Sequence, residues 1–136
     1  MITILAIFSL TLLGGWLRFR GLAAEEFWYD EAFSALLVRR DWGEMLALIT
    51  QDLHPPLYYI GLKLWAGIFG YADSALRFFS AVLGVLLVFI VYRFTIKLFK
   101  NRAKALMASF IFAINPFFIQ YSQETRPYAL LAVLIL

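Results

Sequence analysis

The sequences FFSAVLGVLLVFIVY (residues 78–92) and RFTIKLFKNRAK (residues 93–104) follow one another directly and decide the fold. The first contains no charged side chain, and the second contains five bases and no acid. An apolar helix of about 20 residues spans the roughly 30 Å hydrocarbon core of a bilayer. Short loops rich in Lys and Arg lie on the cytoplasmic side of a membrane. We therefore predict a transmembrane helix at about 75–96 that leads into a cytoplasmic loop.

The composition of the whole chain also indicates a membrane protein. Of its 136 residues, 63% are hydrophobic and 15% are charged, whereas soluble domains carry about 25% charged residues. The net charge of +3 is too small to indicate a nucleic-acid partner, so membrane lipids are the expected surroundings. The chain contains no cysteine, so it says nothing about disulfides or redox compartment.

Further apolar runs predict additional spans. The run at about 1–17 fits a first transmembrane helix better than a cleaved signal peptide, because no charged side chain precedes it. Arg18 and Arg20 at its end are expected to snorkel to the interface. A span at about 105–120 follows the basic loop. The last run, 128–136, is too short to cross a membrane, so we expect the chain to be a fragment, and a complete small protein is the weaker alternative.

The polar segment 21–73 is predicted to hold short amphipathic juxtamembrane helices in the first non-cytoplasmic loop. One covers about 30–40, and a second begins after Asp41. The run 57–71 could cross the membrane or lie at its surface. Crossing would put Lys63 near the middle of the bilayer at a cost of about 2.5–3.5 kcal/mol, so we favour the surface. The predicted class is therefore all-α, with polytopic transmembrane helices.

Three local signals mark helix boundaries. Asp41-Trp42-Gly43-Glu44 resembles a capping box. Asp73 and Ser74 are candidate caps of the long helix that follows them. Asn115-Pro116 predicts a kink or an exit point in the span at 105–120, because proline cannot donate a helix hydrogen bond.

The number of crossings decides which polar residues share a face. If 57–71 stays at the surface, then Asp30, His54 and Glu124 all lie on the membrane face opposite the basic loop. If 57–71 crossed, the basic loop would share the face of Asp30, against the charge rule. The consistent topology gathers the unusual polar residues on the non-cytoplasmic side.

Two acids follow one another in Trp28-Tyr29-Asp30-Glu31. Neighbouring helical residues point about 100° apart, so Asp30 and Glu31 cannot both address one atom. We expect one to face a cleft and the other a cap, a basic partner or water. The alternative is that both only favour a helix N-terminus.

Other candidates are His54, Lys63, Glu124 and Arg126. The lone histidine precedes two prolines that fix its backbone, although such a residue is usually structural. Glu124 and Arg126 lie at a span end, where an interfacial ion pair is the alternative. Lys63, Arg77 and Arg126 could contact a lipid phosphate, which arginine binds bidentately.

An ordered set of motifs resembles the GT-C membrane glycosyltransferases. It is most similar to the bacterial branch of the protein O-mannosyltransferase superfamily, which includes proteins like lipopolysaccharide galacturonosyltransferases. Family proteins are much longer than this chain. The motifs are Tyr29-Asp30-Glu31, Asp52-Leu53-His54-Pro55-Pro56-Leu57-Tyr58-Tyr59, Ala75-Leu76-Arg77-Phe78-Phe79-Ser80, Asn115-Pro116-Phe117 and Tyr121-Ser122-Gln123-Glu124-Thr125-Arg126-Pro127-Tyr128.

The resemblance implies a glycosyltransferase of the bacterial inner membrane whose active site faces away from the cytoplasm. The donor would be a sugar linked to polyprenyl phosphate, the acceptor a lipid, glycan or protein hydroxyl, and the reaction inverting. Asp30 matches the catalytic aspartate, His54-Pro55-Pro56 the HPP element, and Glu124 the second acidic position. The alternative is a non-catalytic polytopic membrane protein, either a transporter or a scaffold subunit.

The expected mechanism assigns a role to each residue type. Asp30, with Glu31 beside it, would take the acceptor proton, and Lys63 or Arg126 would stabilise the leaving phosphate. His54 and Glu124 would orient groups or hold a divalent metal. Two potential ligands do not make a metal site, so no metal residue is assigned.

Overall fold

The described part of the chain consists of helices joined by turns and loops. The computed structural model describes residues 2–50 and 56–136, and within these ranges it contains eight helices and no strand. The predicted all-α class is confirmed. The helices are α1 (Ile2–Phe19), α2 (Tyr29–Arg39), α3 (Trp42–Ile49), α4 (Pro56–Phe69), α5 (Asp73–Phe99), α6 (Arg102–Ile114), α7 (Pro116–Gln123) and α8 (Tyr128–Ile135).

The long helix α5 forms the centre of the bundle. Helices α1, α6, α7 and α8 pack against it, and α4 packs on its first turns. The chain turns from α5 into α6 at Lys100, which has a φ of 50°, and at Asn101, whose side chain accepts a hydrogen bond from the Lys104 amide at 3.1 Å. We call this end of the bundle the loop end. The opposite end, where α5 begins, is the site end.

Two of the described helices, α1 and α5, are long and apolar enough to cross a membrane. Helices α6 and α7 supply a third span if the two are counted together, and they meet at 59°. Helix α4 has 14 residues, which is fewer than the roughly 20 that a straight span requires.

The predicted helix caps are wrong, although the two short helices α2 and α3 are present. Asp41 occupies the N-cap position of α3 but makes no side-chain cap hydrogen bond. Glu44 instead pairs with Arg40 at 3.4 Å, so the capping box does not form. Helix α5 begins at Asp73, and its N-cap residue is Ala72, which cannot cap through a side chain. Exposed helix ends can be solvated by water, which makes these caps dispensable.

The bend between α6 and α7 follows from Asn115-Pro116, as the sequence predicts. Pro116 has no N–H, so the Phe112 carbonyl loses its normal helical donor. The Phe117 amide donates to the Asn115 side chain at 2.9 Å, so it does not continue the helix to the Ala113 carbonyl. The bend therefore leaves two carbonyl groups that need donors from elsewhere.

Arg18 of α1 supplies these donors. Its Nη2 donates to the Phe112 carbonyl at 3.2 Å, and its Nη1 donates to the Ala113 carbonyl at 3.0 Å. Its Nε also donates to the Ser122 hydroxyl at 3.2 Å. The side chain is 0% exposed, so the expectation that it snorkels to the interface is wrong. Arg20 is exposed and lies over the Trp16 ring at 5.0 Å.

Helices α5 and α7 approach each other closely at Gly84. A Cβ atom at this position would overlap the side chain of Ser122 and would lie 3.1 Å from the Arg18 Cδ. Because Arg18 and Ser122 are hydrogen-bonded to each other, neither can move away without disturbing the bend between α6 and α7. The absence of a side chain at Gly84 therefore allows the site end of α7 to pack on α5.

Gly84→Ala is expected to destabilise the fold by about 1–3 kcal/mol, because the added methyl group overpacks this contact. The matched control is Gly67→Ala in α4, where no atom lies near the added methyl group. That change should be neutral or stabilise by up to about 1 kcal/mol, because alanine is the better helix former. The measurement is the free energy of unfolding in detergent. Equal effects of the two changes would contradict the close approach.

Candidate functional site

Three chain segments meet at the site end of the bundle. They are the first turn of α2, the first turns of α5, and the turn at residues 124–127 that connects α7 to α8. The segments are distant in sequence, so specific contacts between them must hold this arrangement. The polar side chains that join them form the candidate functional site.

Glu31 joins all three segments. Its Oε1 accepts hydrogen bonds from the Arg77 Nε at 2.9 Å and from the Thr125 amide at 2.8 Å, and its Oε2 accepts from the Arg77 Nη2 at 2.6 Å. The carboxylate is 1% exposed. A charge removed from water this completely requires an opposite charge and well-formed hydrogen bonds, and Glu31 has both.

Arg77 uses its remaining donors to fix the loop between α1 and α2. Its Nη1 donates to the Leu22 and Glu25 carbonyls at 3.0 and 2.6 Å, and its Nη2 also donates to the Glu26 carbonyl at 3.1 Å. A guanidinium group has five N–H donors, and these bonds together with those to Glu31 occupy all of them. The expectation that Arg77 contacts a lipid phosphate is therefore not met.

Asp30 is the more accessible of the two neighbouring acids. Its side chain is 36% exposed, and its Oδ2 lies 3.8 Å from the Arg126 Nη2. The Arg126 Nη1 also donates to the Asp30 carbonyl at 3.4 Å. The two neighbouring acids pair with different arginines, Glu31 with Arg77 and Asp30 with Arg126, and they differ in their own exposure. The site therefore offers an accessible carboxylate with a guanidinium group beside it.

A polar cavity of about 440 Å³ lies next to the Glu31–Arg77 pair. Burial raises the pKa of the Glu124 carboxyl, and the nearby negative charge of Glu31 raises it further. Gln123 fixes one wall, because its amide donates to the Arg18 and Arg20 carbonyls at 3.1 and 2.9 Å. The lining residues are Arg20, Gly21, Leu22, Ala24, Glu25, Glu31, Arg77, Gln120, Gln123 and Glu124.

Sequence reasoning missed Arg20, Gln120 and Gln123 as lining residues. The available signal was the spacing of Gln120 and Gln123 near the end of an apolar run. Side chains three residues apart lie on one helix face. Arg20 was interpreted only as an interface anchor, because nothing in the sequence brings it near Glu124.

An apolar cavity of about 700 Å³ adjoins the polar one and shares Gly21, Leu22 and Ala24 with it. Its other walls are aromatic or small, and they come from the end of α1 and the loop after it, from α4 and from the start of α5. They are Phe19, Ala23, Trp65, Phe69, Ser74, Ala75 and Phe78. A polar space and an apolar space with a common border suit a molecule with a charged head and a hydrocarbon tail.

The structure does not bring every predicted site residue into this cluster. The Lys63 Nζ donates to the Val38 carbonyl at 3.0 Å and to the Arg40 carbonyl, at the far end of α2 from Asp30. His54 lies outside the described residues. Within residues 2–50 and 56–136, no group of three or more His, Cys, Asp or Glu side chains is arranged to hold a metal ion.

These features define a helical integral membrane protein with a polar site at one end of its apolar helices. Residues 53–136, more than half of the chain, match the model of the dolichyl-phosphate-mannose-protein mannosyltransferase family, and the chain belongs to that family. The resemblance to GT-C membrane glycosyltransferases is thereby confirmed. No curated protein and no solved structure matches the chain.

Glu31→Gln is expected to destabilise the protein by about 3–5 kcal/mol, because it leaves the buried charge of Arg77 without a counter-charge. Glu44→Gln is the matched control, since it removes the same charge from an exposed pair with Arg40. Its cost should stay below about 1 kcal/mol. Chemical denaturation in detergent measures both, and a small effect of Glu31→Gln would contradict the central role of the buried pair.

Glu124→Gln tests the raised pKa of Glu124 through the pH dependence of stability. A carboxyl whose pKa is raised by folding stabilises the fold at low pH, and this contribution is lost as pH rises through the raised pKa. The wild type should therefore lose stability relative to the variant as pH rises above about 4.3, the ordinary pKa of Glu. The free energy of unfolding of the variant minus that of the wild type should increase over this range. Comparing the two proteins at each pH removes the contributions of the other titrating groups. A difference in free energy of unfolding that does not change with pH would contradict the raised pKa of Glu124.

Proposed function

We propose that this protein transfers a sugar from a polyprenyl-phosphate donor to an acceptor hydroxyl on the non-cytoplasmic side of the membrane. Its family gives the general activity, that of a glycosyltransferase. The observation that carries the finer proposal is the accessible Asp30 carboxylate, 3.8 Å from the Arg126 guanidinium group, at the end of the bundle that also holds a polar and an apolar cavity.

In the proposed reaction, Asp30 is the general base. The acceptor hydroxyl attacks the anomeric carbon of the sugar while Asp30 takes the hydroxyl proton. The bond between the anomeric carbon and the phosphate oxygen breaks, and polyprenyl phosphate leaves with the electron pair. A positioned base contributes typically about 10²–10⁴-fold. Direct displacement of this kind inverts the anomeric centre.

Arg126 is proposed to stabilise the leaving phosphate. Its guanidinium group is nearly buried, with 5% of the side chain exposed, and lies beside the proposed base. A cation in a poorly solvated position stabilises developing negative charge more strongly than one in water. When the donor binds, its phosphate would compete with Asp30 for this cation, which would also release the carboxylate to act as a base.

Glu31 is proposed as a positioning residue rather than as a second base. Both of its oxygens are already hydrogen-bonded, and its carboxylate is buried. It holds the first turn of α2 against α5 and the 124–127 turn, and so sets the distance between Asp30 and Arg126. Lys63 is proposed to support the far end of α2, where it donates to two carbonyls.

The two cavities are proposed to receive the two halves of the donor. Sugar hydroxyls fit the polar cavity, where Gln120 and Glu124 offer hydrogen-bonding groups. The first isoprene units fit the aromatic walls around Trp65 and Phe78. His54 remains a proposed substrate-binding residue, on the strength of the family resemblance alone.

The orientation is proposed from the distribution of charge. The five bases at residues 93–104 lie at the loop end of the bundle, far from Asp30 and Glu124. If the positive-inside rule holds, the loop end is cytoplasmic and the site end faces away from the cytoplasm. A bacterial inner membrane would place the acceptor in the cell envelope.

Asp30→Asn should lower sugar transfer by about 10²–10⁴-fold, because the amide cannot accept the acceptor proton. The assay follows a labelled sugar from a polyprenyl-phosphate donor in membranes that contain the full-length protein. Asp41→Asn is the matched control, since Asp41 is exposed and makes no side-chain cap bond on the same polar segment. It should transfer at the wild-type rate.

Near-normal transfer by Asp30→Asn, at equal protein level, would remove Asp30 as the base. It would also favour the non-catalytic alternative for this chain's polar residues, in which Asp30 and Arg126 form only an interfacial ion pair.

A further inference from the structure

A third cavity, at the loop end of the bundle, has the chemistry of a lipid headgroup site. It has a volume of about 940 Å³ and combines cationic and apolar walls. We infer that it binds the headgroup of an anionic phospholipid from the membrane leaflet at this end. The lining residues are Ile90, Tyr92, Arg93, Phe94, Ile96, Lys97, Leu98, Arg102 and Leu136.

The basic residues around this cavity form no ion pair with an acid in the described part of the chain. The segment 93–104 contains five bases and no acid. All five are exposed, and no described residue forms an ion pair with any of them. Each cation close to an anionic headgroup contributes about fivefold to binding, and this contribution falls off with distance from the headgroup. The charge on the protein therefore favours an anionic partner from outside the described chain.

The geometry places three of these cations around one space. Arg93 and Lys97 are one helical turn apart on the same face of α5, a spacing that brings side chains within roughly 6 Å. Arg102 reaches the cavity from the first turn of α6, across the turn at Lys100. An arginine can hold a phosphate through two parallel N–H bonds, and the neighbouring lysine can neutralise a second negative group.

Apolar side chains on the same turns favour a lipid over a free phosphate. Phe94 and Leu98 line the cavity and are 43% and 61% exposed. They follow Arg93 and Lys97 by one residue each and form the neighbouring row on α5, so an acyl chain could pass over them while the headgroup contacts the two cations. Ile90 extends this apolar surface one turn further from the loop end. A soluble anion would leave these side chains uncovered.

This site is separate from the proposed reaction centre. Helix α5 has 27 residues, so the loop end and the site end are about 40 Å apart. The inference does not depend on the proposed function, and lipid binding can be measured without any transfer assay.

The test is a titration of the purified full-length protein in detergent with phosphatidylglycerol, with bound lipid counted by native mass spectrometry. The double change Arg93→Gln and Lys97→Gln should weaken binding about 25-fold, the product of two fivefold losses. The matched control is Lys100→Gln with Lys104→Gln, which removes the same charge from residues that do not line the cavity. Its loss should stay below about fivefold.

A charge-preserving exchange, Arg93→Lys with Lys97→Arg, guards against a folding defect and should keep most of the affinity. Phosphatidylcholine should bind weakly, and soluble glycerol phosphate should not displace phosphatidylglycerol. Equal losses in the two glutamine variants, loss of binding in the exchange variant, or displacement by glycerol phosphate would each overturn the inference.

Discussion

A carboxylate that leaves water must be neutralised where it lies, and Glu31 meets this demand with Arg77 and the Thr125 amide. A buried pair of this kind adds little net stability compared with apolar residues of similar size. Its effect is to fix the relative position of three segments, because the Glu31 contacts form only when α2, α5 and the 124–127 turn are correctly placed. The separation of Asp30 and Arg126 is then a result of the Glu31 contact.

Arg18 imposes a second constraint of the same kind on α7. The proline bend leaves carbonyls without donors, and a buried arginine on α1 supplies them. The bend turns the end of α7 back towards α1, where Gln123 bonds to the Arg18 and Arg20 carbonyls. Arg18 therefore helps to bring Glu124 to the polar cavity, even though it lies outside it. Two buried arginines, neither of them a proposed catalytic residue, thus position the site.

The sequence predicts the elements of this fold better than the contacts between them. Apolar runs and Asn115-Pro116 are local signals, so the helices and the bend could be derived from them. The burial of Arg18 could not be derived from the sequence, because its partners are backbone carbonyls nearly a hundred residues away. Every carbonyl can accept a hydrogen bond, so no sequence signal identifies these two. For the same reason the sequence does not predict the positions of Arg20 and the glutamines, while helical spacing alone shows that Asp30 and Glu31 point in different directions. The predicted caps failed because a solvated helix end does not require them.

A common reaction centre requires that the segments around Asp30 and Glu124 share one membrane surface, opposite the basic loop. The chain has no cysteine, so single cysteines can be introduced at the exposed residues Glu26, Gln120 and Lys100 and labelled in intact cells with a membrane-impermeant maleimide. We expect Glu26→Cys and Gln120→Cys to react from outside, and Lys100→Cys to react only after permeabilisation. Labelling of Glu26→Cys and Gln120→Cys from opposite sides would contradict this expectation, because no common reaction centre could then exist.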